Sequence, residues 1–223
     1  MPDPRLGDCG RVAYDRFSLQ TGTALHETDA TFQFAVAPNR DVFAIKKSST
    51  GTRSTEIHVL STASRYQSFS LQTGTALHET GATFEFAVAP NRDVFAIKKS
   101  GTGTRSTEIH VLSAASGYQS FSLQTGTALH ETDATFEFAV ASNRDVFAFK
   151  KSGTGTHSTE VHVLSAASGY RRFSLQTGTA LHETNANFEL AVAPNRDVFA
   201  IKKSGTGTHS TEIHVLDASG GAP

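Results

Sequence analysis

A single period governs this chain. Phe17, Phe69, Phe121 and Phe173 are spaced 52 residues apart, and so are His26, His78, His130 and His182. Asp41, Asp93, Asp145 and Asp197 keep the same interval, with no insertion anywhere. A constant period of this length confines the chain to a solenoid, a propeller or a string of small modules. Four tandem copies follow, at 17–68, 69–120, 121–172 and 173–223, after an N-terminal extension of residues 1–16.

Within a copy every local signal is that of β structure. In "ATFEFAVA" the residues Phe84, Phe86 and Val88 alternate with Glu85, Ala87 and Ala89, the two-residue period of a strand. "DVFAIKK", "TEIHVL" and "SFSLQT" alternate in the same way. Turn formers separate them: "PNR", "SGTGTRS", "SAASGYQ" and "TGTALHETD". No stretch carries a helical period with caps. Four strands in 52 residues is the size of a propeller blade. The prediction is an all-β chain forming a four-bladed β-propeller, with large side chains of one blade meeting small ones of the next. The last copy ends after three strands, while the N-terminus carries a spare one from Phe17 to Leu25. If that strand pairs with the last blade, the ring closes and no sheet edge is exposed.

Composition narrows the function. The chain of 223 residues has 20 basic and 21 acidic side chains, so it builds no basic field for nucleic acid or an anionic membrane. No apolar run nears the roughly 20 residues of a membrane helix. The opening "MPDPRLGDCG" lacks the apolar core of a signal peptide. The expectation is a cytoplasmic protein, or one secreted by a route not visible here. Cys9 is the single cysteine, which excludes an internal disulfide and a cysteine-based zinc site.

The run "FEFAVAPNRDVFAIKKSGTGTRSTEIHVLS" resembles the FG-GAP/VCBS type of propeller repeat, in which an Asp-rich loop leads into a strand beginning Asp-Leu or Asp-Val. The resemblance extends over all four copies. Repeats of this type build a seven-bladed mushroom lectin that binds N-acetylglucosamine, and they occur appended to secreted bacterial enzymes. The resemblance therefore implies a propeller, and a carbohydrate-binding role among others. One departure stands out. The family loop often supplies several oxygens to calcium, whereas "APNRDV" keeps only the closing Asp41 and an Asn. Calcium is disfavoured, no other cofactor is implied, and the Asp reads as a turn former.

In an up-and-down blade, the connections after the second and fourth strands emerge on one rim. That rim gathers "KSGTGTRST" and "TGTALHET", with "PNRD" and the "SAASGYQ" turn on the opposite one. Short hydroxyls, glycine-freed amides and a His, Glu or Arg suit hydrogen bonding to sugar hydroxyls. The candidate sites, at blade junctions, are His26, Glu27, Thr52 and Arg53; His78, Glu79, Thr104 and Arg105; His130, Glu131, Thr156 and His157; and His182, Glu183, Thr208 and His209. The strand histidines His58, His110, His162 and His214, each two residues from a Glu, read as a structural polar ladder, with Lys47 and its copies able to pair with that Glu. There is no nucleophile elbow and no unique carboxylate pair. A constellation present in quadruplicate suits multivalent binding of glycans or glycoproteins better than catalysis. The alternative is a protein-interaction scaffold or the accessory domain of a larger secreted enzyme.

Overall fold

The computed structural model describes residues 18–27, 32–47, 50–79, 84–130, 136–182, 188–202 and 211–218. Among these described residues fifteen strands fall where the alternating runs predict them. Blade 1 comprises β1 (Phe32–Val36), β2 (Val42–Lys46), β3 (Glu56–Leu60) and β4 (Phe69–Gly74). Blade 2 comprises β5 (Phe84–Val88), β6 (Val94–Lys98), β7 (Glu108–Leu112) and β8 (Phe121–Gly126). Blade 3 has β9 (Phe136–Val140), β10 (Val146–Lys150), β11 (Glu160–Leu164) and β12 (Phe173–Gly178), and blade 4 has β13 (Phe188–Val192), β14 (Val198–Lys202) and β15 (Glu212–Leu216). Each sheet is antiparallel in simple sequence order, so the chain is the four-bladed β-propeller expected. The blades are phased differently from the sequence copies: each starts at an inner "FEFAV"-type strand and ends in the next copy's "FSLQTG". No helix among the described residues is long and apolar enough to cross a membrane.

Blades pack face to face, and each junction is a core. Phe43, Ile45, Ile57 and Val59 of blade 1 meet Phe84, Phe86, Val94 and Leu112 of blade 2, all buried. Ala96 lies among them, so large residues meet mostly large ones rather than the small ones expected. Tyr118 seals this core from outside, edge-on to Phe43 with centroids 6.4 Å apart. Its hydroxyl donates to the Arg92 carbonyl at 3.1 Å. The same set recurs between blades 2 and 3, where Tyr170 stands edge-on to Phe95 at 6.2 Å. Deleting a buried Phe of this kind costs about 3–5 kcal/mol.

Charged links repeat with the cores. Arg92 reaches back to Asp41 at 3.3 Å, Arg144 to Asp93 at 3.2 Å and Arg196 to Asp145 at 3.7 Å. Each guanidinium also lies over a phenylalanine of the preceding blade, at 5.6, 5.6 and 5.7 Å. Inside the ring, Gln33 latches β1 to β5: its amide donates to the Phe86 carbonyl and accepts from the Phe86 amide, both at 3.1 Å. Glu85 holds that position on blade 2. Burial pushes its carboxyl above the usual range, the nearby Glu137 adds to this, and Lys99 at 2.6 Å offsets only part of it.

Three expectations are corrected. The first concerns ring closure. Residues 18–27 form no strand and do not pair with β15; they lie instead against blade 1, where the Ala24 amide donates to the Tyr66 carbonyl at 2.9 Å. Blade 4 accordingly has three strands among the described residues, with β15 at its edge. Matching contacts join the inner strands β1 to β5, β5 to β9 and β9 to β13, and β13 and β1 share no comparable set among the described residues. Phe34, Val36, Ile213 and Val215 consequently remain 57%, 65%, 63% and 52% exposed at an open seam. Second, the two rims are not separate. The twist of the blades brings the Tyr118 carbonyl of blade 2 to the Ala76 amide, 3.0 Å away at the end of blade 1. Third, the register pairs Lys46, not Lys47, with Glu56. Lys47 turns to the next blade and donates to the Phe84 carbonyl at 3.3 Å.

Candidate functional site

The Gly-Thr loop between the second and third strands is pinned from within. The Glu56 carboxylate accepts from both the amide and the hydroxyl of Thr52, each at 3.0 Å. Thr52 also lies 3.0 Å from the Ser54 hydroxyl, and that hydroxyl accepts from the Thr75 amide at 3.1 Å. Burial raises the Glu56 pKa, but these bonds and His58 outweigh it and hold the carboxylate below its ordinary range. Thr104 and Thr156 repeat the arrangement with Glu108 and Glu160. The three threonines therefore hold their loop, and their oxygens are largely engaged.

Glycine completes the pin by being small. A Cβ on Gly126 would lie 2.8 Å from the hydroxyls of both Ser106 and Thr104. The strand end can pass so close to the loop only without a side chain. Gly74 and Gly178 meet the same atoms of their own blades.

His58, His110 and His162 form the expected ladder, whereas His214 at the edge strand β15 has no hydrogen bond to its Nε2 among the described residues. His58, 9% exposed, has Nε2 3.4 Å from Glu56 and Nδ1 3.1 Å from the Gln72 amide nitrogen. Phe32 and Phe69 stand edge-on to the ring on either side. Both nitrogens are engaged, which makes this a structural element.

Other candidates project outward. Arg53, Arg105 and His157 occupy one position at the loop tip, with φ of 58°, 57° and 58°. That left-handed conformation is ordinarily left to glycine, because a Cβ costs about 1–2 kcal/mol there. All three are exposed and make no hydrogen bond or ion pair among the described residues. His26, His78, His130 and His182 are likewise exposed. Their neighbours Glu27 and Glu79 are engaged by Lys46 at 2.5 Å and Lys98 at 2.6 Å. Glu131, Glu183, Thr208 and His209 lie outside the described residues.

At the junction of blades 2 and 3 the two loops do converge. Thr104, Thr127 and His130 line one hollow of about 410 Å³, open to solvent, together with Arg171 of blade 3. At the preceding junction Gln119 stands in that place and donates to the Gly74 carbonyl at 2.7 Å. Arg171 and Arg172 also border a second hollow of about 610 Å³, with Ser165, Ser168 and Phe173. These arginines are not among the candidates drawn from the sequence. Their signal was a departure from the repeat: "YQS" at Tyr66 and Tyr118 becomes "YRR" at Tyr170.

The loop aspartate that recurs in every copy is a turn element. Asp41 accepts from Asn39 at 2.8 Å and from the Thr62 amide at 2.9 Å, and faces Arg92. Burial raises its pKa, and these donors outweigh that and lower it. Its oxygens thus anchor the 3₁₀ turn Thr62–Ser64. Among the described residues no three His, Cys, Asp or Glu side chains lie together in a metal-binding group.

Neither a family model nor a curated protein matches this chain. Among solved structures, one described as the crystal structure of puromycin hydrolase aligns with 82% of this chain at a TM-score of 0.42 and 12% identity. This chain spans 26% of that protein's length. The likeness is too slight to carry a function across.

Proposed function

We propose that this protein is a multivalent glycan-binding protein, a lectin without catalysis, with sites at its blade junctions. The observation that carries the reading is the hollow of Thr127, His130 and Arg171, beside the loop tip bearing Arg105. Thr104 beside it is satisfied internally by Glu108, while His130 and Arg105 keep their hydrogen-bonding capacity for something outside. Donors of this type suit sugar hydroxyls, of the N-acetylglucosamine or galactose type. Arg171 adds a preference for a sugar bearing a carboxylate at this one junction. Repetition around the ring raises weak single-site affinity by avidity, on the order of 10²–10⁴.

A glycan array probed with the labelled full chain, with and without a chelator, tests the reading. The expected result is binding to one sugar class, unchanged by chelation, and at least tenfold weaker for His130→Ala combined with Arg171→Gln. Silence across a broad array sinks the lectin reading and puts a protein-interaction scaffold, or an accessory domain of a larger enzyme, in its place.

A further inference from the structure

We propose that the open seam between blade 4 and blade 1 is closed by a second copy of this chain, in a head-to-tail pair. Every junction is built from the same complementary halves. One half is the trailing face of a blade (Phe43, Ile45, Ile57 and Val59 on blade 1), and the other is the leading face of its successor. Blade 4 presents the trailing half, with Ile213 and Val215 63% and 52% exposed, and blade 1 presents the leading half, with Phe34 and Val36 57% and 65% exposed. The corresponding Phe86 is only 5% exposed and Val111 is fully buried.

The charged link is present in halves too. Asp41, Asp93 and Asp145 each hold the arginine of the following blade. The series continues with Asp197 of one copy and Arg40 of the other. Arg40 already has its copies' left-handed conformation, φ 68° against 71°, 71° and 75°.

The N-terminal segment sits where such a seam needs it. Gln67 donates to the Thr21 hydroxyl at 2.9 Å and the Gly22 carbonyl at 2.6 Å. Gln119 makes the same two bonds to Thr73 and Gly74, the end of β4. Residues 18–27 therefore lie against blade 1 as the fourth strand of a preceding blade would, and β15 lacks such a strand among the described residues. A hollow of about 800 Å³ lined by Phe147, Arg196, Val198 and Val215 lies at the junction of blades 3 and 4; at the two preceding junctions Tyr118 and Tyr170 pack on Phe43 and Phe95.

Closure between two copies follows from the uniformity of the junctions. The three described steps from blade to blade carry matching contacts, yet they leave Phe34 and Val36 of blade 1 and Ile213 and Val215 of blade 4 exposed instead of packed on one another. Two copies related by a twofold axis offer two identical seams and leave no face or edge open. The proposal does not depend on glycan binding.

The test is the mass of the full chain in solution by native mass spectrometry and light scattering. The expected value is twice 23.8 kDa. Arg40→Glu and Asp197→Arg each place like charges across the seam, and each should weaken the pair at least tenfold, giving single chains. Mixing the two variants restores opposite charges at both seams, so the mixture should return to a pair. Val36→Lys, at a position exposed in the single chain, gives a second route to dissociation if the charge variants fold poorly. A single-chain mass at all concentrations overturns the proposal. So does a mixture that stays separate while the double variant in one chain regains wild-type stability, since that means closure within one chain. A ring of three or more copies, or a pair indifferent to all these changes, overturns it equally.

Discussion

Replacing Gly126 by alanine tests whether close approach, rather than backbone angle, fixes the glycine that ends each fourth strand. Its φ is not in the left-handed region, but a Cβ there falls 2.8 Å from Ser106 Oγ and Thr104 Oγ1 and 2.9 Å from Thr104 Cβ. Thr104 and Ser106 must move, and both are tied: Thr104 to Glu108 at 2.9 Å, and Ser106 to the Thr127 amide at 3.2 Å. Overpacking costs about 1–3 kcal/mol, and a lost hydrogen bond about 1 more. The sum is about 3 kcal/mol, or a fall in Tm of about 6–12 °C for a chain of this size. Gly117 is the control. It has φ 61° with nothing within 4 Å of a Cβ, and Arg65 occupies the same position of the first copy at φ 53°. Gly117→Ala should cost about 1 kcal/mol, or 2–4 °C. Thermal unfolding by circular dichroism at matched concentration decides. A Gly126→Ala melt within 2 °C of wild type, or a larger fall for Gly117→Ala, refutes the reasoning.

Asp93→Ala strands the Ala114 amide, Asn91 and Arg144 at a buried position, and should lower stability by about 2–4 kcal/mol, read in the same melt, with Asp93→Asn milder. The pH dependence has a defined sign. Asp41, Glu56, Glu108 and Glu160 all have lowered pKa values, so their contribution is present above their unfolded values near 4 and is lost as pH falls through the folded ones. Glu85 is raised, so its contribution is present at low pH and lost as pH rises through its folded value. The lowered groups outnumber it, and Tm should fall steeply below about pH 4; a flat Tm down to pH 3 would remove these carboxylates from the account.

The strands were legible because alternation has a two-residue period that any window of six residues displays. The phase of the blades was legible too, since "FEFAV" and "FSLQTG" bracket each sheet. Other features depend on geometry that no short window contains. Blade twist brings Tyr118 of one rim to Ala76 of the other, and twist leaves no mark in residue spacing. Lys46 and Lys47 are adjacent and chemically alike, so only the strand register separates the one facing Glu27 from the one reaching the next blade. At the candidate site, His130 and Thr104 did come together as their loops implied. Thr104 proved to be held by Glu108 because the sequence shows both residues but not the hydrogen bond. Arg171 was visible all along as a break in the repeat, and exceptions carry more local information than the rule does.

The uniformity of the junctions has an evolutionary consequence. Each joint uses the same aspartate, arginine and phenylalanine, so removing residues 69–120 would join blade 1 to blade 3 through an Asp41–Arg144 contact of a kind the protein already makes. Recombination between near-identical copies can change the number of blades in a single event without inventing an interface. Selection can then act on ring size and valency in whole-blade increments, while the sequence of any one blade stays almost unchanged.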